Sequence, residues 1–332
     1  MSRISIEHGS GGKLTFELIK DVFLKELGIR MNNYSFEDSW TLRRNFNKIA
    51  FTTDSYVITP LFFPGGDIGR LAVCGTVNDI SVSGATPFAL SAGFIIEEGF
   101  EIERLKKILD SMKKACAEAG VSIVCGDTKV VEKGKADGIF INTAGLGFFD
   151  KDYDFSYRNP RAGDAVIING EIASHGVAVL NARHNLGLGG EIKSDVAPLN
   201  GLVDLIRGVE GVRCMKDLTR GGLATGLIEI CDFCGYGFEI DEKEIPLSKS
   251  VRSACEVLGL DPLYVANEGK IIVVVDYRNA KDIVERMRKH PYGKKARIIG
   301  RVIDEKKVYI KTTAGMRRMI VPFSAEQLPR IC

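Results

Sequence analysis

Four aspartates stand where a free charge is hard to house. Asp54 closes "FTTD" in a β-branched run, Asp79 lies within "TVNDI", Asp127 within "CGDT", and Asp217 within "KDLTRGG". A carboxylate among apolar and glycine neighbours is costly to bury alone, so each needs a hydrogen-bond donor, an ion partner or a bound cation. Magnesium takes hard oxygen ligands and bridges a few protein carboxylates to phosphate oxygens. The competing reading is local, because Asp127 or Asp217 can accept from backbone amides as a turn residue. Singly the two readings balance; together the four favour a metal-nucleotide site.

Glycine clusters point the same way. "GSGGK", "PGGD" and "RGG" offer backbone N–H groups that can approach phosphate with no side chain between. None is a Walker A loop, since "GSGGK" lacks the spacing and the trailing Ser or Thr, and no Rossmann fingerprint follows the first strand. A P-loop enzyme and a nicotinamide dehydrogenase are therefore disfavoured.

The elements that must position these residues alternate between helix and strand. "KLTFELIKDVFLKELG" is helical and ends at Gly28, "KIAFTTDSYVI" alternates as a strand, and "DIGRLAVCGTVNDISVSG" is helical again. A strand in "FALSAGFIIEE", a helix in "EIERLKKILDSMKKACAEAG" and strands in "VSIVCGDTKVV" and "GIFINTAGLGFF" complete one α/β unit by residue 149. The polar stretch over 150–163 reads as a linker. A second α/β unit over 164–311 contains "SHGVAVLNARHNL", "RGGLATGLIEICDFCG", "IIVVVDY", "AKDIVERMRKH" and "ARIIGRVI". Residues 312–332 carry no apolar period and are expected to form an extended, flexible tail.

Composition narrows the function classes. At 332 residues, two domains with separate cores are expected. Lys and Arg number 45 against 43 Asp and Glu, without a basic cluster, which disfavours nucleic acid. No apolar stretch approaches membrane-spanning length, and the start lacks the pattern of an export signal, so a cytoplasmic protein is expected. Eight cysteines then read as reduced thiols. Cys231 and Cys234 share metal-like spacing, but no second pair completes a zinc site, and a helix face is the better reading. Cys332, at the end of "PRIC", is open to two readings on residues alone: a frayed end, or a thiol held on a reaching segment.

Taken together, "HGSGGK", "FTTDSYVITPLFFPGGDIGRLAVCGTVNDISVSGATP", "GDTKVV", "DLTRGG", "ANEGK" and "PRIC" resemble the HypE family of hydrogenase maturation proteins, the carbamoyl dehydratases, over nearly the whole chain. The aspartate pattern is shared with the wider PurM and selenophosphate synthetase-like superfamily, whereas "PRIC" is particular to HypE. The resemblance implies two PurM-like α/β domains over 36–149 and 164–311, behind a glycine-rich loop and helix over 1–35. It also implies a homodimer whose N-terminal domains pair into a β-barrel, with ATP and Mg2+ near the interface.

The implied chemistry starts with a HypF-like carbamoyltransferase that loads Cys332. ATP then dehydrates the thiocarbamate to a thiocyanate, and a HypC–HypD-like iron scaffold receives cyanide for the nickel-iron centre. On this resemblance Asp54, Asp79, Asp127 and Asp217 hold metal. Gly11, Gly12, Lys13, Thr53, Asn78, Thr128, Thr219, Gly221 and Gly222 contact nucleotide, and Cys332, Lys129 and Glu268 are catalytic. A surface lysine and a structural glutamate are the plain alternatives for Lys129 and Glu268, and His8 fits a loop-organising role. The segment from Ile320 to Cys332 spans roughly 40 Å when extended, enough to visit two sites. The alternatives are another superfamily enzyme that phosphorylates an amide oxygen or a small acceptor, and a non-catalytic adaptor for a maturation complex.

Overall fold

The computed structural model of the chain describes residues 3–9, 13–29, 48–188, 191–322 and 331. Gly11, Gly12 and Cys332 lie outside the described residues, as does the side chain of Lys13. The first helical segment runs through α1 (Lys13–Leu18), a π-helical stretch (Ile19–Leu24) and α2 (Lys25–Leu27), and stops at Gly28, whose φ is 73°. Its apolar residues Leu18, Val22 and Phe23 are buried, and Phe23 meets Phe94 edge to face at 5.0 Å.

β1 (Ile49–Tyr56), the short β2 (Phe62–Phe63) and β3 (Gly66–Asp67), α3 (Ile68–Val82), β4 (Thr86–Glu97), α4 (Ile102–Ala119), β5 (Ser122–Val131) and β6 (Ile139–Phe148) follow. Four of these strands form a sheet in the order β1-β6-β4-β5, parallel only between β4 and β5, where α4 provides the crossover. Asp67 caps α3 by accepting from the Gly69 and Arg70 amides at 2.7 and 3.0 Å. One face of β1 packs on α3 through a chain of hydroxyls: Tyr56 meets Thr76 at 3.4 Å, Thr76 meets Thr143 at 2.6 Å, and Thr143 donates to the Ala72 carbonyl at 2.9 Å. That contact fixes β1 against α3, and with it Asp54 against Asp79.

The second unit comprises β7 (Ala165–Ile168), α5 (Ser174–His184), α6 (Asn200–Asp204), β8 (Val212–Asp217), α7 (Gly222–Cys234), β9 (Gly237–Asp241), α8 (Lys249–Leu258), β10 (Ile271–Val275), α9 (Ala280–Arg288), β11 (Arg297–Ile303), β12 (Val308–Lys311) and β13 (Arg317–Ile320). Its sheet has the order β13-β12-β9-β11-β7-β10-β8. The run "IIVVV" is β10, buried along its whole length between β7 and β8. α8 carries weaker sequence signals, yet Ser248 caps it through the Val251 amide at 3.2 Å. Among the described residues no helix is long and apolar enough to cross a membrane.

The stretch after Thr312 departs from the expected flexible tail. Arg317–Ile320 pairs with β12, Ile320 is buried, and Ile331 is 2% exposed. The sequence hides β13 because only Ile320 turns inward, while backbone pairing and the Arg317–Glu239 ion pair at 3.0 Å hold the rest.

α3 also ties the two units together. Arg70 donates to the Val196 carbonyl at 3.0 Å and pairs with Glu118 at 2.8 Å, and Tyr292 of the second unit also donates to Glu118. Gly75 lies in this helix where a Cβ would overlap the Tyr56 hydroxyl. Helix propensity alone would make Gly75→Ala stabilising by roughly 1 kcal/mol. We expect instead a loss of about 1–3 kcal/mol, read as a lower denaturant midpoint, because the buried ring of Tyr56 must move.

Candidate active site

Asp79 lies on α3 facing β1 and accepts from Thr52 Oγ1 at 3.0 Å. Asp54 follows on the same face of β1, one residue beyond Thr53. Asp217 ends β8 and is buried, and Glu268, 3% exposed, lies in the loop before β10. These carboxyls act on one another. Burial first, then the charges of Asp217 and Asp54, push Asp79 up to about 7. Burial also raises Asp217, with Lys216 opposing and Asp54 adding to the rise. Glu268 is raised well above the usual carboxylate range by burial, then by Asp195, Asp217, Asp54 and Asp79. Its Oε1 atom is buried without a hydrogen-bond partner among the described residues.

Crowded, protonation-prone carboxyls and an orphaned buried oxygen call for a cation. Among the described residues no group of three or more His, Cys, Asp or Glu side chains is placed to hold a metal ion. A magnesium ion here would have to take most of its ligands from water and phosphate oxygens.

Asp127, Thr128 and Lys129 stand elsewhere. They lie on β5, the opposite edge of the sheet from β1. Asp127 and Thr128 border a cavity of 110 Å³ roofed by Ile19 and Phe23 of the first helical segment. Within one chain they do not join the other three aspartates. Thr53 also points away, across β1 from Asp54, donating to the Thr143 carbonyl at 3.2 Å and accepting from Asn142 Nδ2 at 3.1 Å. His8 has the loop-organising geometry, its Nδ1 accepting from the Ser5 amide at 3.0 Å.

Asn78 departs from its expected nucleotide role. Its Nδ2 donates to the Ala197 carbonyl at 3.0 Å and its Oδ1 accepts from the Leu199 amide at 2.7 Å. Both ends of the buried amide are spent joining the two units, which leaves none for a ligand. Thr219, Gly221 and Gly222 form the turn from β8 into α7, with the Gly222 amide donating to the Thr219 carbonyl at 3.0 Å. Gly221 and Gly222 have φ of 74° and 59°, and a Cβ on Gly222 would meet the Leu263 and Val265 carbonyls at 2.6 Å. Glycine is thus required by packing here, and the turn still presents the amide end of a 13-residue helix.

Some participants gave no sequence signal. Asp195, nearly buried, accepts from the Glu268 and Gly269 amides at 3.2 and 3.3 Å and pairs with Lys270 at 2.8 Å. Burial would raise its pKa, but Lys270 outweighs burial and holds it below the ordinary value. His175 and Ser194 complete the same frame, bonded to each other at 2.8 Å. Nothing in "KSDVAP" or "IASHGV" marks these residues.

Comparison with known proteins decides the family. The model of the AIR synthase related protein N-terminal domain matches residues 37–149, and that of the C-terminal domain matches residues 161–312. The carbamoyl dehydratase HypE of Escherichia coli K12 is 42% identical, with all of both chains covered. The chain belongs to the HypE family of carbamoyl dehydratases. A HypE crystal structure in complex with ATP superposes with a TM-score of 0.94 at 42% identity, covering 99% of each chain. A chain of a HypE–HypF complex matches at 0.82 and 49% identity, covering 94% of this chain and all of that one. The two-domain PurM-like architecture is therefore that of HypE structures.

The carboxyl cluster predicts a pH signature in the HypE-type fold without ligands. Asp79 moves from an ordinary 3.8 to about 7 on folding, so its ionised form opposes folding fully above pH 7 and ceases to do so as pH falls toward 4. Asp79→Asn should raise the melting temperature at pH 8 by roughly 2–6 °C. Scanning calorimetry should show that gain shrinking steadily between pH 7 and pH 4.

Proposed function

We propose that the chain uses ATP to dehydrate a carbamoyl group carried on the sulfur of its own Cys332, yielding a thiocyanate that supplies cyanide to a nickel-iron hydrogenase centre. The carrying observation is the buried Glu268 carboxyl, with one oxygen unpartnered among the described residues, close to Asp54, Asp79 and Asp217. An amide oxygen is a poor leaving group. Transfer of the γ-phosphoryl group to that oxygen makes it leave as phosphate, the nitrogen loses its protons, and the C≡N bond forms with ADP released. Magnesium held by Asp54, Asp79 and Asp217 would supply charge neutralisation for the transferring phosphoryl group. Glu268 has its pKa displaced upward, toward the range in which a carboxylate takes a proton efficiently, and it receives a proton from the amide nitrogen. The α7 amide end with Gly221 and Gly222 would face phosphate.

Asp127 and Lys129 enter this reading through a second copy. The open face of the first sheet exposes Ile49, Phe51 and Ile95, an apolar surface suited to a homodimer. If two such sheets close edge to edge into a barrel, β5 of one copy meets β1 of the other, bringing Asp127, Thr128 and Lys129 toward the three remaining aspartates. A HypF-like carbamoyltransferase would load Cys332, consistent with the HypE–HypF complex among its relatives, and a HypC–HypD-like scaffold would accept cyanide.

The test is mass spectrometry of the C-terminal peptide. Carbamoylated protein given Mg2+ and ATP should lose the mass of one water there, with Cys332→Ala unreactive and Glu268→Gln slowed by roughly 100-fold or more. ATP-dependent change at another residue, or none, would overturn the assignment. The shared site has its own check. Asp79→Asn and Asp127→Asn should each be inactive, and mixing them with subunit exchange should restore about a quarter of wild-type activity, since half the dimers gain one intact site. A site complete within one chain would give no restoration.

A further inference from the structure

The segment over 194–199 is bonded on one side to the first unit and on the other to the Glu268 loop. Toward the first unit, the Ser194 amide donates to the Pro64 carbonyl at 2.8 Å and Arg70 Nε donates to the Val196 carbonyl at 3.0 Å. Asn78 then takes the Ala197 carbonyl through Nδ2 at 3.0 Å and the Leu199 amide through Oδ1 at 2.7 Å. Toward the Glu268 loop, Asp195 accepts from the Glu268 and Gly269 amides, and the Ala197 amide donates to the Glu268 carbonyl at 3.4 Å. A Cβ on Gly269 would overlap the Asp195 carbonyl oxygen, so the glycine of "NEGK" lets the loop lie directly on the segment.

Asn78 reaches both sides. A side-chain amide has two N–H donors, and Nδ2 also donates to the Glu268 carbonyl itself at 3.5 Å. The next residue along α3 is Asp79, whose carboxyl turns toward β1 and Thr52. One helix position therefore carries an aspartate of the carboxyl cluster, and its neighbour is fastened to the peptide that carries Glu268. Asn78 and Glu268 are 190 residues apart and belong to different units, so slack between the units would move Glu268 relative to Asp79. Asn78 is 3% exposed, and a buried amide or carbonyl that loses its partner has no water to turn to.

We propose that Asn78 is a positioning residue that, through the 194–199 spacer and the Glu268 carbonyl, fixes Glu268 relative to Asp79 across the two units. The proposal rests on the reading that Asp79 holds metal and Glu268 takes the proton, and it adds what keeps the two in register. Asn78 touches neither nucleotide nor the carbamoyl group; it acts through backbone. Arg70, about two turns earlier on α3, is a second strut on the same spacer.

The test combines single-turnover dehydration with amide hydrogen exchange on the full-length protein. Asn78→Ala should lower the maximal rate roughly 10- to 100-fold, the cost of a small misplacement of a reacting group, with the half-saturating ATP concentration within about twofold of wild type. A rise in half-saturating ATP that accounts for the loss would overturn the proposal in favour of a nucleotide contact. Added to Glu268→Gln, Asn78→Ala should cost less than about threefold more, because the group it positions is already gone; losses that multiply would mark general structural damage and overturn it as well. The peptide over 265–270 should exchange about tenfold faster in Asn78→Ala while a peptide from α9 stays at the wild-type rate. Arg70→Met, which keeps the apolar stem, should reproduce the pattern at roughly three- to tenfold, and it carries the test if melting shows that Asn78→Ala does not fold. Wild-type rates and wild-type exchange in the folded variants would refute the strut. Faster exchange at 265–270 with no dehydration by wild type would leave the strut standing and refute the reaction.

Discussion

Burial of Asp79, Asp217 and Glu268 close to one another and to Asp54, with the repulsion that burial strengthens, is the constraint around which the site is arranged. Three come from different elements, β1, α3 and β8, and the fourth from the loop before β10. Hydrophobic burial assembles these elements, and in doing so draws carboxyls together that would lie apart in water. Burial raises Asp79, Asp217 and Glu268 above their ordinary values, so that protonation is the route by which the fold can offset their charge. On the proposed reading, a site that takes up a phosphate-bound cation and then a proton would gain from this electrostatic cost.

The surrounding architecture serves rigidity at that point. α3 is packed against β1 by the Tyr56, Thr76 and Thr143 hydroxyls and against the second unit by Asn78 and Arg70. Asp195 accepts from the backbone on either side of the Glu268 peptide while Lys270 offsets its charge, so the Glu268 loop is fixed without spending the Glu268 carboxyl. That economy leaves one carboxyl oxygen without a partner among the described residues.

How much of this could be read in the chain follows from range. Asp79 and Asp217 announced themselves because a charge among apolar residues has few explanations. The alternation around Asp54 likewise gave its strand. Asp127 was legible as a residue type but not in its place, since strand order, not local pattern, puts β5 at the far edge. Asn78 misled because an amide beside a key aspartate looks the same whether it meets a ligand or a backbone from the other domain. The contact between His175 and Ile331 was beyond reach, as the two are 156 residues apart and meet through one polar contact. β13 escaped because a strand with one buried side chain has no period to detect.

The central claim is that these carboxyls hold protons until a metal-bound nucleotide displaces them. Calorimetric titration with magnesium and ATP near pH 6.5, repeated in buffers of different ionisation enthalpy, counts the protons released on binding. The account predicts net release that falls in Glu268→Gln and Asp79→Asn and nearly disappears when ATP is added without magnesium. Binding of magnesium and ATP with no proton release, the same in wild type and both variants, would contradict it.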